Sequence, residues 1–425
     1  MNTERRWTLA VLTAVFAVNN LDRHVLSIVL DPIGQEFALS DTQLGLLSGL
    51  MFALVYVLFG FPIAKLSAKG NRRNIISTCV ALWSSLTIAM AGAQNFVQLA
   101  VARLGVGIGE AGAVTPAHSM ISDLYPKHKR TSAMATFVTG ANIGILLAFL
   151  IGGIAGQLLG WRWAFVIAGL PGLVLAVLLK FTVTEPVREK NAVSSEKSRS
   201  LFLSSLKTIY GHRGMLHAML GISIVGVVTF GALAWNPTLI IRSHGLTQAQ
   251  TGIFLALVIG IGGGFGTWFS GKLADWLGEK NAKWRVGIVV AAILISKPFV
   301  FVFLLADNTA TALAAFAVAA FMGGVFWAPT FAYLHSNLSS VMRPMGTAIY
   351  LFCFNLVGVG LGPTIIGILS DTVFSEAGNR SIAYGLLTLQ IAGIWAAWHY
   401  WQVVREIPQD AETEEKRSLL PSANC

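Results

Sequence analysis

Three ionisable residues lie inside long apolar stretches: Asp22 and Arg23 in Asn19-Asn20-Leu21-Asp22-Arg23, and Glu110 in Gly107-Ile108-Gly109-Glu110-Ala111. A charge at the centre of a bilayer costs about 2.5–3.5 kcal/mol on insertion scales, so such residues face a helix-bundle interior or a wet cavity. Two carboxyls and one guanidinium suit proton coupling. Desolvation favours a neutral carboxyl, and a nearby Arg favours an ionised one. If opening and closing of a cavity alters either effect, proton affinity follows conformation, and the coupling is reciprocal. Asp22 or Glu110 is therefore expected to carry a proton. Arg23 is expected to bridge the two acids or exchange between them, as an electrostatic switch that also contacts an anionic head group. The competing reading is a static ion pair that fixes helix packing.

Other charges are open to two readings each. Arg103 lies two helical turns before Glu110 on nearly the same face, so it either stabilises the outer end of the site or anchors the structure. Arg162 reads as a helix-end residue. Lys297 falls mid-span, with a pairing or snorkelling role and no partner evident. His118 is a proton relay or a hydrogen-bonded structural histidine.

The elements that hold these residues follow from composition. The chain has 425 residues, 55% of them hydrophobic and 12% charged, where soluble domains carry roughly a quarter charged residues. Its apolar residues fall in blocks long enough for the roughly 20-residue helix that spans a bilayer. About twelve spans are read, at 8–30, 43–66, 75–94, 98–121, 131–156, 161–183, 214–241, 250–274, 285–306, 309–335, 345–370 and 381–404. The fold class is thus an all-α membrane protein.

The net charge of +10 is a matter of topology rather than nucleic-acid binding. Most Lys and Arg residues fall in segments on one side, with Arg23, Arg103, Arg162, Arg242, Lys297 and Arg380 as the exceptions. This positive-inside bias places both termini in the cytoplasm. Cys79, Cys353 and Cys425 are too scattered for a disulfide framework, and no metal-ligand spacing or cofactor motif is present. No phosphate-binding loop, zinc-protease motif or nucleophile elbow appears either, which argues against an integral-membrane enzyme.

The longest polar interruption divides the blocks into six and six. The expected organisation is a six-helix bundle over 1–183, a cytoplasmic loop over 184–212, a second bundle over 213–404 and a loosely packed cytoplasmic tail over 405–425. A junction motif appears twice at half-chain spacing, as Ala64-Lys65-Leu66-Ser67-Ala68-Lys69-Gly70-Asn71-Arg72-Arg73 and Gly271-Lys272-Leu273-Ala274-Asp275-Trp276-Leu277-Gly278. Gly140, Gly144, Gly152 and Gly153 are echoed by Gly358, Gly360, Gly362 and Gly367. In transporters built from such repeats, the substrate site lies between the halves near the midplane.

With these segments the chain resembles the major facilitator superfamily, and more narrowly its bacterial spinster, sphingolipid-transporter-like branch. The resemblance rests on Asn19-Asn20-Leu21-Asp22-Arg23, Asp41-Thr42-Gln43-Leu44-Gly45-Leu46-Leu47, Gly70-Asn71-Arg72-Arg73, the run from Arg103 to Ala111, Trp161-Arg162-Trp163-Ala164-Phe165 and Thr184-Glu185-Pro186. It implies twelve helices in two pseudo-symmetric bundles, alternating access and proton-linked movement of an amphiphilic or anionic solute. It also implies a cytoplasmic gate at Arg72, Arg73 and Asp275. The first gating loop departs from the family pattern, with Ala68 where an acid is usual and Lys69 in place of Arg, which implies a weaker latch. Ile145 stands where antiporter-type members place proline.

Further residues on the helices expected to line the passage are Asn19, Thr139, Asn142, Trp235, Asn236, Trp327, Tyr333, Tyr350 and Asn355. A mostly apolar cavity with a few hydrogen-bonding groups suits a lipid-like ligand, although each aromatic is also compatible with helix packing or an interfacial belt. The expected partners are a small-molecule or lipid-like substrate, protons and membrane lipids, acting on a monomer in a bacterial inner membrane. The alternative is proton symport of a small organic anion, with Arg23 as the carboxylate clamp.

Overall fold

A computed structural model describes residues 2–187, 195–339 and 341–407. The tail expected to pack loosely lies almost wholly outside the described residues, as does the middle of the central loop.

The described residues form twelve long helices, one on each expected span. They are α1 (Asn2–Phe37), α2 (Asp41–Lys69), α3 (Arg72–Met90), α4 (Phe96–Leu124), α5 (Lys127–Leu159), α6 (Trp161–Thr182), α7 (Arg213–His244), α8 (Gln248–Lys280), α9 (Trp284–Leu305), α10 (Thr309–Ser336), α11 (Arg343–Thr372) and α12 (Ser381–Glu406). A linker helix, Ser195–Gly211, precedes α7. Ten of the twelve are long and apolar enough to cross a membrane. The other two, α1 and α3, are the helices in which polar residues dilute the apolar run; α3 packs within the first bundle, and α1 packs there and also against α7.

The helices alternate in direction, so both described ends of the chain lie at one face, called inner here. The second helix of each half starts with the same device. Ser40 and Thr247 each accept a hydrogen bond from the backbone N–H three residues on, and Gln43 and Gln250 answer with their side chains on the cap backbone. These reciprocal capping boxes fall at corresponding places in the two halves. So do Gly45 and Gly252, whose missing side chains let α2 approach the Pro363 carbonyl of α11 and α8 approach the Phe149 carbonyl of α5.

Contacts between the halves gather at the outer ends. Outer α2 packs on outer α11, and outer α8 packs on α5. By contrast, the inner segments Gly264–Lys280, Trp327–Ser336 and Arg343–Cys353 pack within their own half. Where the seal ends, α8 and α11 each contain a wide π-helical stretch, Ala256–Gly263 and Phe354–Val359. The two halves are thus joined chiefly at their outer ends.

Candidate functional site

The site grows from α1 and α4. Adjacent residues on a helix point about 100° apart, so Asp22 and Arg23 cannot face the same neighbour. Arg23 turns toward α4 and donates to Glu110 Oε2 from Nε at 3.1 Å and from Nη2 at 2.7 Å. Its guanidinium also lies over the rings of Phe52 and Tyr56 on α2, at 4.8 and 5.1 Å. Asp22 turns toward α3, where Trp83 and Thr87 face its carboxyl. Neither Asp22 oxygen has a hydrogen-bond partner.

In this state Arg23 contacts only Glu110 of the two acids and does not bridge them. Glu110 has a counter-ion in contact, whereas Asp22 has no guanidinium on its oxygens. Arg23 is also the one member of the trio with appreciable exposure, at 13% of its side chain against none for Glu110. Glu110 ends the first segment of α4, and a turn follows before Val114. Pro116 explains the break, because proline has no N–H to give the Gly112 carbonyl and its ring crowds that carbonyl.

Arg103 is fully enclosed rather than at the outer rim. It donates from Nη1 to the Asp22 carbonyl at 3.5 Å and from Nη2 to the Arg23 carbonyl at 3.3 Å, and it lies 4.7 Å from the Phe52 ring centre. It therefore fixes α1 against α4 through the backbone. Asn19 is buried on the same helix, with Nδ2 unpaired, and faces Glu110.

The remaining candidates divide. Trp235 and Tyr350 are fully buried and bonded inside the C half, Trp235 Nε1 to the Pro363 carbonyl at 2.8 Å and Tyr350 Oη to the Met215 carbonyl at 2.5 Å. They join helices of one bundle, which corrects their placement on the passage. Asn236 is buried and Tyr333 packs on Gly214 at the start of α7. Asn355 donates to the Leu351 carbonyl at 2.8 Å inside a π-helical stretch. Thr139 is exposed, with its hydroxyl on the Thr136 carbonyl at 2.7 Å, and Asn142 reaches across to Gly264 of the other half. Trp327 belongs to an aromatic wall, its ring 5.1 Å from Phe331 and 5.4 Å from Phe354, with Phe230 and Phe326 also against Phe354.

The expected gate residues do not join the halves. Arg72 is buried and holds Asp123 at 2.5 Å, Glu185 at 2.7 Å and Ser119 at 2.8 Å. Its two acids come from α4 and from the segment after α6. The Arg73 N–H donates to Glu185 Oε2 at 2.8 Å, and Asp275 is exposed on α8. His118 packs edge-on against Phe137. Arg162 grips Glu36 at the outer end of α1, and Lys297 gains a partner in Gln390 Oε1 at 2.7 Å.

Sequence reasoning missed the outer seal. Arg242 on α7 binds Asp31 and Asp41 of the N half, Ser370 donates to Asp41 Oδ2 at 2.6 Å, and the Asp371 carboxylate accepts the Asp41 and Thr42 N–H groups at 3.2 and 2.6 Å. The available signal was an isolated Arg at the end of span seven opposite acids at the ends of spans one and two.

Comparisons with known proteins agree with this architecture. The family model for the Major Facilitator Superfamily matches residues 12–306. An MFS-type efflux pump of Mycolicibacterium smegmatis is 28% identical, over 93% of this chain and 92% of its own length. A probable L-galactonate transporter of Escherichia coli is 26% identical over 88% and 85%, and the mouse sphingosine-1-phosphate transporter SPNS2 is 26% identical over 86% and 69%. Among solved structures, a bacterial homologue of the human lysosomal transporter spinster, inward-facing and unoccupied, superposes with a TM-score of 0.84 at 26% identity, over 95% and 98% of the two chains. A twelve-helix architecture sealed at one face, buried charges in the first bundle and a match over most of the chain lead to one assignment: this multi-pass membrane protein belongs to the Major Facilitator Superfamily, is spinster-like, and is a transporter rather than an enzyme.

Proposed function

We propose that the protein moves an amphiphilic, lipid-like solute across a bacterial inner membrane by alternating access, driven by protons, as a monomer with both termini in the cytoplasm. The halves 1–183 and 213–404 rock as units, and the state described above faces the cytoplasm. The observation that carries the reading is an asymmetry between the halves. The N half presents a partly exposed guanidinium, Arg23, framed by Phe52 and Tyr56, while the C half carries an aromatic cluster in which Phe230, Trp327 and Phe331 are partly exposed around the buried Phe326 and Phe354. A polar head at the first and an apolar tail along the second suit an amphiphile, and SPNS2 is a relative whose name specifies such a substrate.

In this reading Asp22 holds the transported proton, and the Arg23–Glu110 pair responds to substrate. An anionic head group that draws Arg23 away leaves Glu110 without its counter-ion, so substrate binding and protonation are linked. The gate residues Arg72 and Arg73 brace the inner end of the N half in both states.

A second reading, symport of a small organic anion with Arg23 as clamp, draws on the relative named for L-galactonate. Flux in proteoliposomes separates the two. With an imposed pH gradient, phosphorylated sphingoid bases and anionic lysolipids are expected to compete for uptake, and sugar acids are not; the reverse pattern supports the anion reading. Asp22→Asn and Glu110→Gln are each expected to abolish gradient-driven uptake, and normal uptake by both would overturn the proton mechanism.

A further inference from the structure

The third helix packs with little space to spare. A Cβ on Gly109 of α4 would come within 2.8 Å of the Trp83 Cβ, and one on Gly172 of α6 would collide with the Ser84 hydroxyl. These close approaches carry a polar stripe of α3, namely Trp83, Ser84 and Thr87, into the interior of the bundle, where each is essentially without exposed surface.

We propose that Trp83 and Thr87 form a two-donor clamp on Asp22, acting as positioning residues that hold its carboxylate once the proton has left. Four buried polar atoms carry the inference: Asp22 Oδ1, Asp22 Oδ2, Trp83 Nε1 and Thr87 Oγ1. None has a hydrogen-bond partner among the described residues, yet both donor side chains face the carboxyl. A buried donor without an acceptor costs about 1–3 kcal/mol, and a buried carboxylate without donors costs more. Contact between them removes both penalties. The indole N–H donates and cannot accept, so Trp83 favours the ionised carboxylate over the protonated one.

Other charged groups near Asp22 are already committed or are not on its oxygens. On α1, Arg23 is bound to Glu110 and His24 is buried. On α4, Arg103 is held by backbone carbonyls and Glu110 by Arg23. The nearest ionisable group on α3 is the Cys79 thiol, which packs on Gly112, and α5 and α6 carry no ionisable side chain between residues 131 and 161 or between 163 and 179. The two α3 donors are therefore the direct contacts through which the bundle can hold this carboxylate.

The inference rests on Asp22 being the proton-holding group, and the experiment separates the two claims. Infrared difference spectra are recorded on the full chain in phosphatidylcholine vesicles as pH is varied, which needs no substrate. The protonated-carboxyl band that disappears in Asp22→Asn belongs to Asp22. Thr87→Val, which is isosteric, and Trp83→Phe are each expected to shift that band and to move its titration midpoint to higher pH by about one unit, while Thr87→Ser restores both. A band and midpoint unchanged in Thr87→Val and Trp83→Phe overturn the clamp. No band lost in Asp22→Asn overturns the role of Asp22 itself, and the clamp with it.

Discussion

Arg242 Nε lies 2.6 Å from Asp31 Oδ1, tying α7 of the C half to α1 of the N half at the outer face. The same guanidinium reaches Asp41 on α2 at 2.9 Å, so one cation closes three helices. Both acids are nearly buried, while Arg242 keeps about a quarter of its side-chain surface exposed. Removing one partner of a buried pair costs about 3–5 kcal/mol, and exposure lowers this. Arg242→Gln is therefore expected to weaken the outer seal by about 1–2 kcal/mol, roughly a five- to thirtyfold shift toward the outward-open state. Spin-label distances across the outer ends of α2 and α11 measure it, and an unchanged distance distribution speaks against the latch.

The unequal settings of the two acids predict unequal stability effects. Glu110→Gln leaves Arg23 buried without its counter-ion, a change that costs about 3–5 kcal/mol when a pair is enclosed. Asp22→Asn replaces a carboxyl whose oxygens have no hydrogen bond in this state, so the protein in this state is expected to be unchanged or slightly stabilised. Thermal unfolding in detergent compares them. Equal losses in the two variants contradict the pairing described here.

Much of the architecture was legible because apolar length and spacing suffice to specify spanning helices, and each expected span coincides with one. The half-chain repeat was legible too, and the two capping boxes at Ser40 and Thr247 are its local expression. Within the site, charge and depth alone brought Asp22, Arg23 and Glu110 together, but not which of the two acids Arg23 binds. Sequence could not say that Asp22 faces α3, because that depends on which helix packs at the adjacent angle of α1. Trp235 and Tyr350 misled for a related reason. An aromatic with a polar tip suits a passage wall equally well as a buried contact with a carbonyl, and only packing decides. The pairing of Arg242 escaped notice because its acids are 211 and 201 residues away in the chain.

The glycine pair Gly153 and Gly252 sets how closely α5 and α8 approach. A Cβ on Gly252 would lie 2.8 Å from the Gly153 Cα, and it would strike the Phe149 carbonyl. Both of those are backbone atoms of α5, which cannot swing aside as a side chain would. Gly252→Val is therefore expected to push α8 from α5 and open the outer face with little change in overall stability. A cysteine pair at Gln157 and Ala249, whose side-chain oxygen and backbone nitrogen lie 2.8 Å apart, reports the separation. Crosslinking should fall several-fold in the Gly252→Val background, and undiminished crosslinking would argue that the glycines are incidental.

Arg72 and Arg162 each bind carboxylate, yet burial separates their expected effects. Arg162 and Glu36 each keep 40% of their side-chain surface exposed, and exposed pairs contribute about 0.2–1 kcal/mol. Stacking of Arg162 on the Trp161 ring at 4.2 Å adds about 0.5–1 kcal/mol. Arg72 is 2% exposed and holds two acids, Asp123 and Glu185, together with the Pro186 carbonyl at 3.0 Å. Its removal takes the cation from both carboxylates, leaving Glu185 the Arg73 N–H, and loosens the segment after α6 from α3 and α4. Arg72→Ala is thus expected to lower the unfolding temperature clearly more than Arg162→Ala, with a loss of about 3 kcal/mol or more. Arg72→Lys should recover little of it, because one ammonium cannot reproduce a fork that meets Ser119, Asp123, Glu185 and a carbonyl together. Full recovery by lysine would show that charge alone, and not the forked geometry, braces this end of the N half.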